Sequence, residues 1–460
     1  MNVHNSLDLL RKTAFTFPAI DNHAHPLLCS NYRAKVPFEA IISEASSESG
    51  LIHATQTVAC FRAASQLLQT LGVERVMGQS PWQQVKQRRD AMDYEDLCNT
   101  FMKRCGIQSI LLDDGLGGVS EWSEDWKWHR RFGCDTKRIV RIEIEAEKLL
   151  SPLLQPLLAS DFDIQLSSQI TGEVRNQLQG VLTEFFHQLE VFLINSAQDP
   201  EVVSFKSIAC YRGGLSIRPR ADIRISTTQT EHNYDDVVDS LFRVLLHVKH
   251  DGTIRLAHGA INDWIIHWAL RVAGEFDIPV QFHTGLGDSD ISLLHASPAH
   301  MQPLFKDYPQ TVFVLLHAAY PFTKEAGYLC SVYPNVMLDF GEIFPMVSEL
   351  GQRTAIREVL ELCPTNKILW STDGHWHPES FYLGTIQARK ALFDVRSFFV
   401  PFTLIDARKY QVLSEIVLAG ELTEFEAARI VEQALFWNSE RVYKLGISPD
   451  MKITEGFELV

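Results

Sequence analysis

In the stretch FPAIDNHAHP (residues 17–26), His23 and His25 follow an apolar run and precede a proline. On an extended strand, side chains at i and i+2 point to one face, so the two imidazoles would aim at one point, as a metal site requires. The pair is weak alone: with 17 His in 460 residues one such pair arises easily by chance, and His375 and His377 form another. Its weight comes from four more positions. Lys206 lies in VVSFKSIACYR (202–212), His283 in PVQFHTG (279–285), His317 in VFVLLHAAY (312–320) and Asp373 in KILWSTDGH (367–375). Each places an ionisable group in a β-rich apolar run, where burial without a partner is costly. A divalent cation would satisfy four His and one Asp at once.

These runs are four of eight. With PAIDNHAH (18–25), IQSILLDD (107–114), RIVRIEIE (138–145) and NVMLDFG (335–341), they alternate with segments of helical period, such as 172–194, 235–250, 263–276 and 351–362. Apolar strands alternating with amphipathic helices predict an α/β fold with parallel strands, here a (β/α)8 TIM barrel. No GxGxxG or Walker loop supports an open doubly wound sheet. The uneven spacing predicts helical insertions after strands 1 and 3, about 30–105 and 150–200. Extra C-terminal helices, at 404–420 and 422–445 within about 402–446, are expected to pack outside the barrel. Without a repeat or linker, residues 1–460 read as one domain. In such a barrel the site lies at the C-terminal ends of the strands, where these polar residues fall.

A formal charge of −15 argues against nucleic acid or an anionic membrane as partner. An anionic small-molecule substrate remains compatible, because one local Arg can hold it. The 8 Cys are scattered with no CxxC pair, which fits free thiols in a reducing compartment. The first residues lack a signal-peptide core, and no run reaches the ~18 apolar residues of a membrane span. A cytoplasmic location is expected. The oligomeric state is unreadable from the sequence, although barrels of this type often self-associate and a homo-oligomer is compatible.

The chain resembles the amidohydrolase superfamily, through the HxH of strand 1, Lys on strand 4, His on strands 5 and 6, and Asp on strand 8. It is most similar to the branch found as the amino-terminal half of FluG-like and nodulin/glutamine-synthetase-like proteins, in DNHAHPLL, IQSILLDDGL, DWKWHRRF, TKRIVRIE, FKSIACYRGGL, QFHTGLGD, LLHAAYPF and FWNSERVYKLG. No glutamine-synthetase half follows, so that activity is not carried over. The resemblance implies that His23, His25, His283 and Asp373 bind a catalytic metal, with His317 a second-site ligand or substrate contact. Lys206 would be carboxylated and bridge two ions, or remain an ammonium beside Asp373 or a substrate carboxylate. One or two ions are expected, Zn2+ first, with Mn2+ or another first-row ion also fitting.

The implied chemistry is attack of metal-activated water on a C–N bond, an amide or γ-glutamyl-type amide of a small, carboxylate-bearing substrate. Asp373 would take and return the proton, and His317 or the metal would polarise the carbonyl. Arg212 is the candidate for the substrate carboxylate, its alternative being an ion pair with a neighbouring acid. Trp128 and His129 are candidates for the pocket lining, against simple local packing. Asp113 and Asp114 are read as supporting partners or loop caps and Glu143 and Glu145 as weaker candidates; His375 and His377 follow Asp373 and could approach the site, but neither is expected as a ligand because the Gly374 turn redirects the chain. Two other functions stay open: a metal-dependent non-oxidative decarboxylase of an aromatic or unsaturated acid, and a non-catalytic scaffold that keeps the barrel.

Overall fold

The computed structural model describes residues 7–116, 121–159, 170, 172–223, 235–393, 412–455 and 457. Eight parallel strands pair in sequence order: β1 (Ala19–Ala24), β2 (Ile107–Asp113), β3 (Asp135–Arg141), β4 (Val202–Ser207), β5 (Val280–Phe282), β6 (Phe313–Leu315), β7 (Val336–Asp339) and β8 (Ile368–Leu369). The architecture is the TIM barrel that the alternation of runs predicts. It closes through the backbone just beyond β8: Asn22 N donates to Trp370 O (3.3 Å), Asp373 N to His23 O (3.0 Å) and His25 N to Gly374 O (2.7 Å). The residues that close the barrel are therefore those predicted to hold a metal, or their neighbours.

Period 2 sorts the side chains. Leu111, Ile139, Val314, Met337 and Leu369 form a small buried cluster distinct from the larger core between strands and helices, and so mark the inner face. Two residues farther along their strands, the same face carries Asp113, Arg141, Asp339 and Ser371. The barrel is thus apolar at its base and polar at its C-terminal mouth. Val442 and Tyr443, from the helix Asn438–Tyr443, join the apolar base. This corrects the expectation that the C-terminal helices stay wholly outside; residues 404–411 of that expectation lie outside the described residues.

The strands differ from the sequence runs where periodicity is ambiguous. The third ends at Arg141, and Ile142–Ala159 is a helix. IEIE alternates like a strand, but the wider IEIEAEKLL places Glu143 and Glu147 one turn apart on a buried helical face. Helices Glu48–Ala54, Val58–Thr70, Pro81–Asp90 and Tyr94–Met102 fill the interval after β1, and Gly172–Gln198 precedes β4. Two long helices, Asp235–Asp251 and Gly259–Phe276, also separate β4 from β5. No helix among the described residues is long and apolar enough to cross a membrane.

Asp339 ties the mouth together. It accepts from Asn22 Nδ2 (2.9 Å) on β1, His317 N (3.3 Å) after β6, Gly341 N (2.9 Å) after β7 and Ser371 Oγ (3.0 Å) after β8. It is fully buried, so truncation strands several donors with no access to water. Asp339→Ala is predicted to lower stability by about 3–5 kcal/mol, and Asp339→Asn by less, in denaturant unfolding. Equal stability of the alanine variant and the wild type would remove Asp339 from this role.

Candidate metal centre

His23 and His25 come from the end of β1, and Asp373 from the segment hydrogen-bonded beside it. Asp373 Oδ1 lies 3.3 Å from His23 Nε2 and 3.5 Å from His25 Nε2. Ligand atoms around a tetrahedral ion with bonds of about 2.0–2.1 Å are spaced by roughly 3.3 Å, so these separations suit a shared cation. Lys206 reaches the same group from β4, with Nζ 3.1 Å from His23 Nε2. Burial pulls Lys206 down to about 8.

Hydrogen bonds reveal which ring nitrogens keep a lone pair. His25 Nδ1 lies 2.9 Å from Asp113 O, and His283 Nε2 2.6 Å from Leu286 O. A carbonyl oxygen only accepts, so each of those nitrogens carries the proton and the other is left basic, as in metal-binding histidines. His23 Nδ1 and both nitrogens of His317 are buried without a hydrogen-bond partner among the described residues. Burial pushes His23 and His283 well down and His317 down to about 3, which keeps the rings neutral. Burial opposes ionisation of Asp373, but the surrounding imidazoles hold its carboxyl well below the usual range. Neutral imidazoles around an ionised carboxylate are the donor set a first-row divalent ion takes, so the residues fit one.

A second grouping adjoins the first. The rings of His283 and His317 stand 4.4 Å apart, centroid to centroid, and His317 Nδ1 is 3.1 Å from Glu342 Oε2. Among the described residues, three sets of side chains could each hold an ion: His23, His317 and Asp373; His23, His25 and Asp113; and His283, His317 and Glu342. Asp113 is better explained as support, since its carboxylate accepts from Arg141 Nε (2.9 Å) and Nη2 (2.7 Å) while its carbonyl orients His25. Burial opposes ionisation of Asp113 as well, yet Arg141 holds it below its usual value.

Both groupings face a cavity of about 600 Å³, lined also by Arg141, Tyr211, Arg212, Arg255, His375 and Trp376. Arg212 lies 3.1 Å from Glu147 Oε1 and leaves a buried Nε unpartnered, so the ion pair and the cavity-facing position coexist. Glu147 also accepts from Leu256 N (2.9 Å), while Glu143 accepts from Ser207 Oγ (2.7 Å) and Ile208 N (3.0 Å). Glu143, a weaker candidate from the sequence, and Glu147, which the sequence did not single out, fasten the segment after β4 that carries Arg212.

Trp128 and His129 are not brought to the cavity. His129 Nε2 accepts from Leu27 N (3.0 Å) and Nδ1 faces Trp126 O (3.3 Å), so neither nitrogen is available. Trp128 packs on His129, Phe132 and Arg131. Local packing thus overrides the pocket role expected of them. His377 is similarly consumed by Arg89 Nη2 (3.1 Å) and Val36 O (3.3 Å). His375 does line the cavity, its Nδ1 2.7 Å from Asp373 O. Sequence reasoning missed Arg141, Asp339, Tyr211 and Glu342. Strand parity would have found Arg141 and Asp339. Glu342 sits in an irregular loop and left no periodic signal.

Residues 235–444 match the amidohydrolase family model. The chain is 38% identical over 458 residues to protein fluG of Emericella nidulans, a match covering 96% of this chain and 48% of that protein. It thus spans about half the length of the curated relative it matches. Among solved structures, a Lactobacillus casei ATCC 334 protein assigned as a metal-dependent hydrolase aligns with a TM-score of 0.67 at 20% identity, over 95% of this chain and 98% of that one. A uronate isomerase of Thermotoga maritima aligns with a TM-score of 0.54 at 12% identity, over 94% of this chain and 96% of that one. At these identities the two structures share the fold with this chain.

A supporting role for His129 predicts a pH dependence. Burial lowers it from 6.5 to about 4. As pH falls below about 6.5 the unfolded chain binds a proton that the folded chain refuses until about 4, so stability is full above that window and lost within it. The loss amounts to about 3 kcal/mol. In urea unfolding from pH 7 to 4, His129→Gln should show a shallower decline than wild type and unchanged metal content. Parallel declines, or loss of metal, would contradict the role.

Proposed function

This chain belongs to the amidohydrolase family, and from that premise we propose a metal-dependent hydrolase that cleaves a C–N bond, an amide or γ-glutamyl-type amide, in a small, carboxylate-bearing substrate. The observation that carries the reading is the convergence, on one cavity of about 600 Å³, of imidazole nitrogens, the Asp373 carboxylate and the arginines Arg141, Arg212 and Arg255. His23, His25 and Asp373 would hold the ion, with His283 and His317 beside them; Zn2+ suits this donor set and Mn2+ is the alternative. When bound, the ion supplies Lewis acidity and hydroxide near neutral pH.

Asp373, ionised and facing both His23 and His25, takes a proton from the nucleophile and returns it to the leaving nitrogen. His317 would contact the scissile carbonyl. Arg212, which lines the cavity and is oriented by Glu147, grips the substrate carboxylate. Leu116, Ile144, Ile208 and Trp376 line the same cavity and limit water there. We place this chemistry in the cytoplasm, in keeping with eight unpaired cysteines, and take a small molecule as its partner.

The test is a panel of amides and γ-glutamyl amides, run beside aromatic and unsaturated carboxylic acids and uronates. Amide cleavage should vanish on chelation and return with Zn2+ or Mn2+. Release of CO2 from an acid, or isomerisation of a uronate, with no amide turnover would overturn the reading. On the substrate found, Asp373→Asn should lower kcat by about 10³-fold. Arg212→Ala should raise KM roughly 10–100-fold with a smaller change in kcat; an unchanged KM would remove Arg212 from carboxylate binding.

A further inference from the structure

A second cavity, of about 310 Å³, has no part in the hydrolase reading. It lies between the segment after β4 and the start of the helix Gly259–Phe276, and Gly213, Gly214, Gly259 and Ala260 line it. Among the described residues, a Cβ on Gly259 would meet nothing within 4 Å, and one on Gly213 would meet only Gly259 Cα, at 3.9 Å. Main chain rather than side chain therefore borders the space there. The opening N–H groups of an α-helix have no partner within it and attract anions, and the residue before this helix, His258, makes no side-chain cap.

Two side chains in its wall have unmet hydrogen-bonding atoms. Asn262, on the first turn of the helix, is 4% exposed, and neither Nδ2 nor Oδ1 has a hydrogen-bond partner among the described residues. A buried amide that bonds to nothing is destabilising, and an apolar residue of similar size would serve packing better. The terminal torsion of Asn is soft, so its amide can turn to a group that enters the cavity. Arg218 spends Nε on Asp263 Oδ2 (2.6 Å) and Nη1 on Asp236 Oδ2 (3.0 Å), while Nη2 is buried without a partner among the described residues. His267 Nε2 lies 2.8 Å from Arg218 O and holds that residue against the helix. Asp263 also lines the cavity, but Arg218 meets its charge. Donors thus prevail. Two side-chain N–H groups and a helix start suit an oxyanion, and Asn262 Oδ1 suits a ligand that also carries a hydroxyl.

The two cavities share their walls. Tyr211 and Arg212 line the catalytic cavity, while Ala209, Gly213 and Gly214 of the same turn line the second. Ile254 and Arg255 border the first, Gly259 and Ala260 the second. Arg255 Nη2 donates to Tyr211 O (3.2 Å) and joins the two walls. We infer that the second cavity is a regulatory site for a small, hydroxyl-bearing oxyanion, hydrogen phosphate or a short hydroxy acid, whose binding steadies the turn that presents Arg212. The site stands on its own geometry, and its effect on Arg212 rests on the hydrolase reading.

Metal-loaded protein is titrated calorimetrically with phosphate, lactate and sulfate, for wild type, Asn262→Leu and Arg212→Ala. Phosphate or lactate is expected to bind wild type and Arg212→Ala alike, which sets the site apart from the catalytic cavity, and the arm that binds identifies the ligand. Asn262→Leu should weaken that binding at least tenfold. Sulfate, which has no proton to donate at neutral pH, should bind wild type at least tenfold more weakly. Without ligand, Asn262→Leu should melt no lower than wild type. Should it melt lower, Asn262→Asp, whose carboxylate repels the anion, takes its place and is expected to lose binding likewise. On the substrate found in the amide panel, the oxyanion should lower KM severalfold in wild type and leave it unchanged in the Asn262 variant. The inference is overturned by no binding of phosphate or lactate, by binding that Arg212→Ala abolishes or that both Asn262 variants retain, or by sulfate held as tightly. Equal KM responses in wild type and variant would overturn it too. If no amide is cleaved, the hydrolase reading fails, and the titration still decides the site.

Discussion

Everything at the mouth of this barrel depends on one constraint: basic nitrogens and carboxylate oxygens are buried together at the seam where the first and last strands meet. Backbone bonds from Asp373 N to His23 O and from His25 N to Gly374 O close the cylinder and, in doing so, bring the three side chains into register. Closure and assembly of the site are one event. A barrel that closed one residue out of register would turn the imidazoles to the opposite face. Such a gathering of lone pairs is unfavourable unless a cation shares it.

The surrounding structure holds this arrangement at a measurable conformational expense. Besides Glu342, the chain enters the left-handed region at His317 (φ 69°), Asp373 (φ 49°) and Trp376 (φ 57°), all in the segments that leave β6 and β8. Residues in this region cluster where geometry is dictated from outside the residue itself. Here the outside influences are identifiable. Asp339 accepts the His317 backbone N–H, Asp21 accepts from the backbone and hydroxyl of Thr372, and the Asp113 carbonyl fixes the tautomer of His25. Asp113 and Asp339 stand on the inner polar layer, set there by strand period, and Asp21 is buried on the other face of β1. The apolar base of Leu111, Ile139, Val314, Met337 and Leu369, plugged by Tyr443, provides the rigid floor.

Much of this was legible in the residues. The alternation of apolar runs with helical segments gave the barrel, and the polar interruptions of those runs gave His23, His25, Lys206, His283, His317 and Asp373 as neighbours, because strand ends in a barrel converge. Illegible features had physical causes. IEIE could be strand or helix until the buried Glu143–Glu147 spacing decided it. Trp128 and His129 looked like pocket residues because an aromatic-rich loop follows β2, yet His129 spends both nitrogens on backbone groups. Glu342 lies on a turn whose direction depends on Gly341 passing over Ser371, a tertiary contact with no periodic trace. Arg141 and Asp339 each lie two residues beyond an inward apolar residue of their strand, so strand period carries a signal for both.

The central claim is that the seam of the barrel is a cation cage built from neutral imidazoles and an ionised carboxylate. Anomalous diffraction from crystals of the metal-loaded protein, recorded on both sides of the metal's absorption edge, tests it most directly. The account predicts a peak about 2.0–2.2 Å from His23, His25 and Asp373 together. Its contradiction would be a fully loaded crystal with no peak at that seam, or with the imidazoles of His23 and His25 turned away from Asp373.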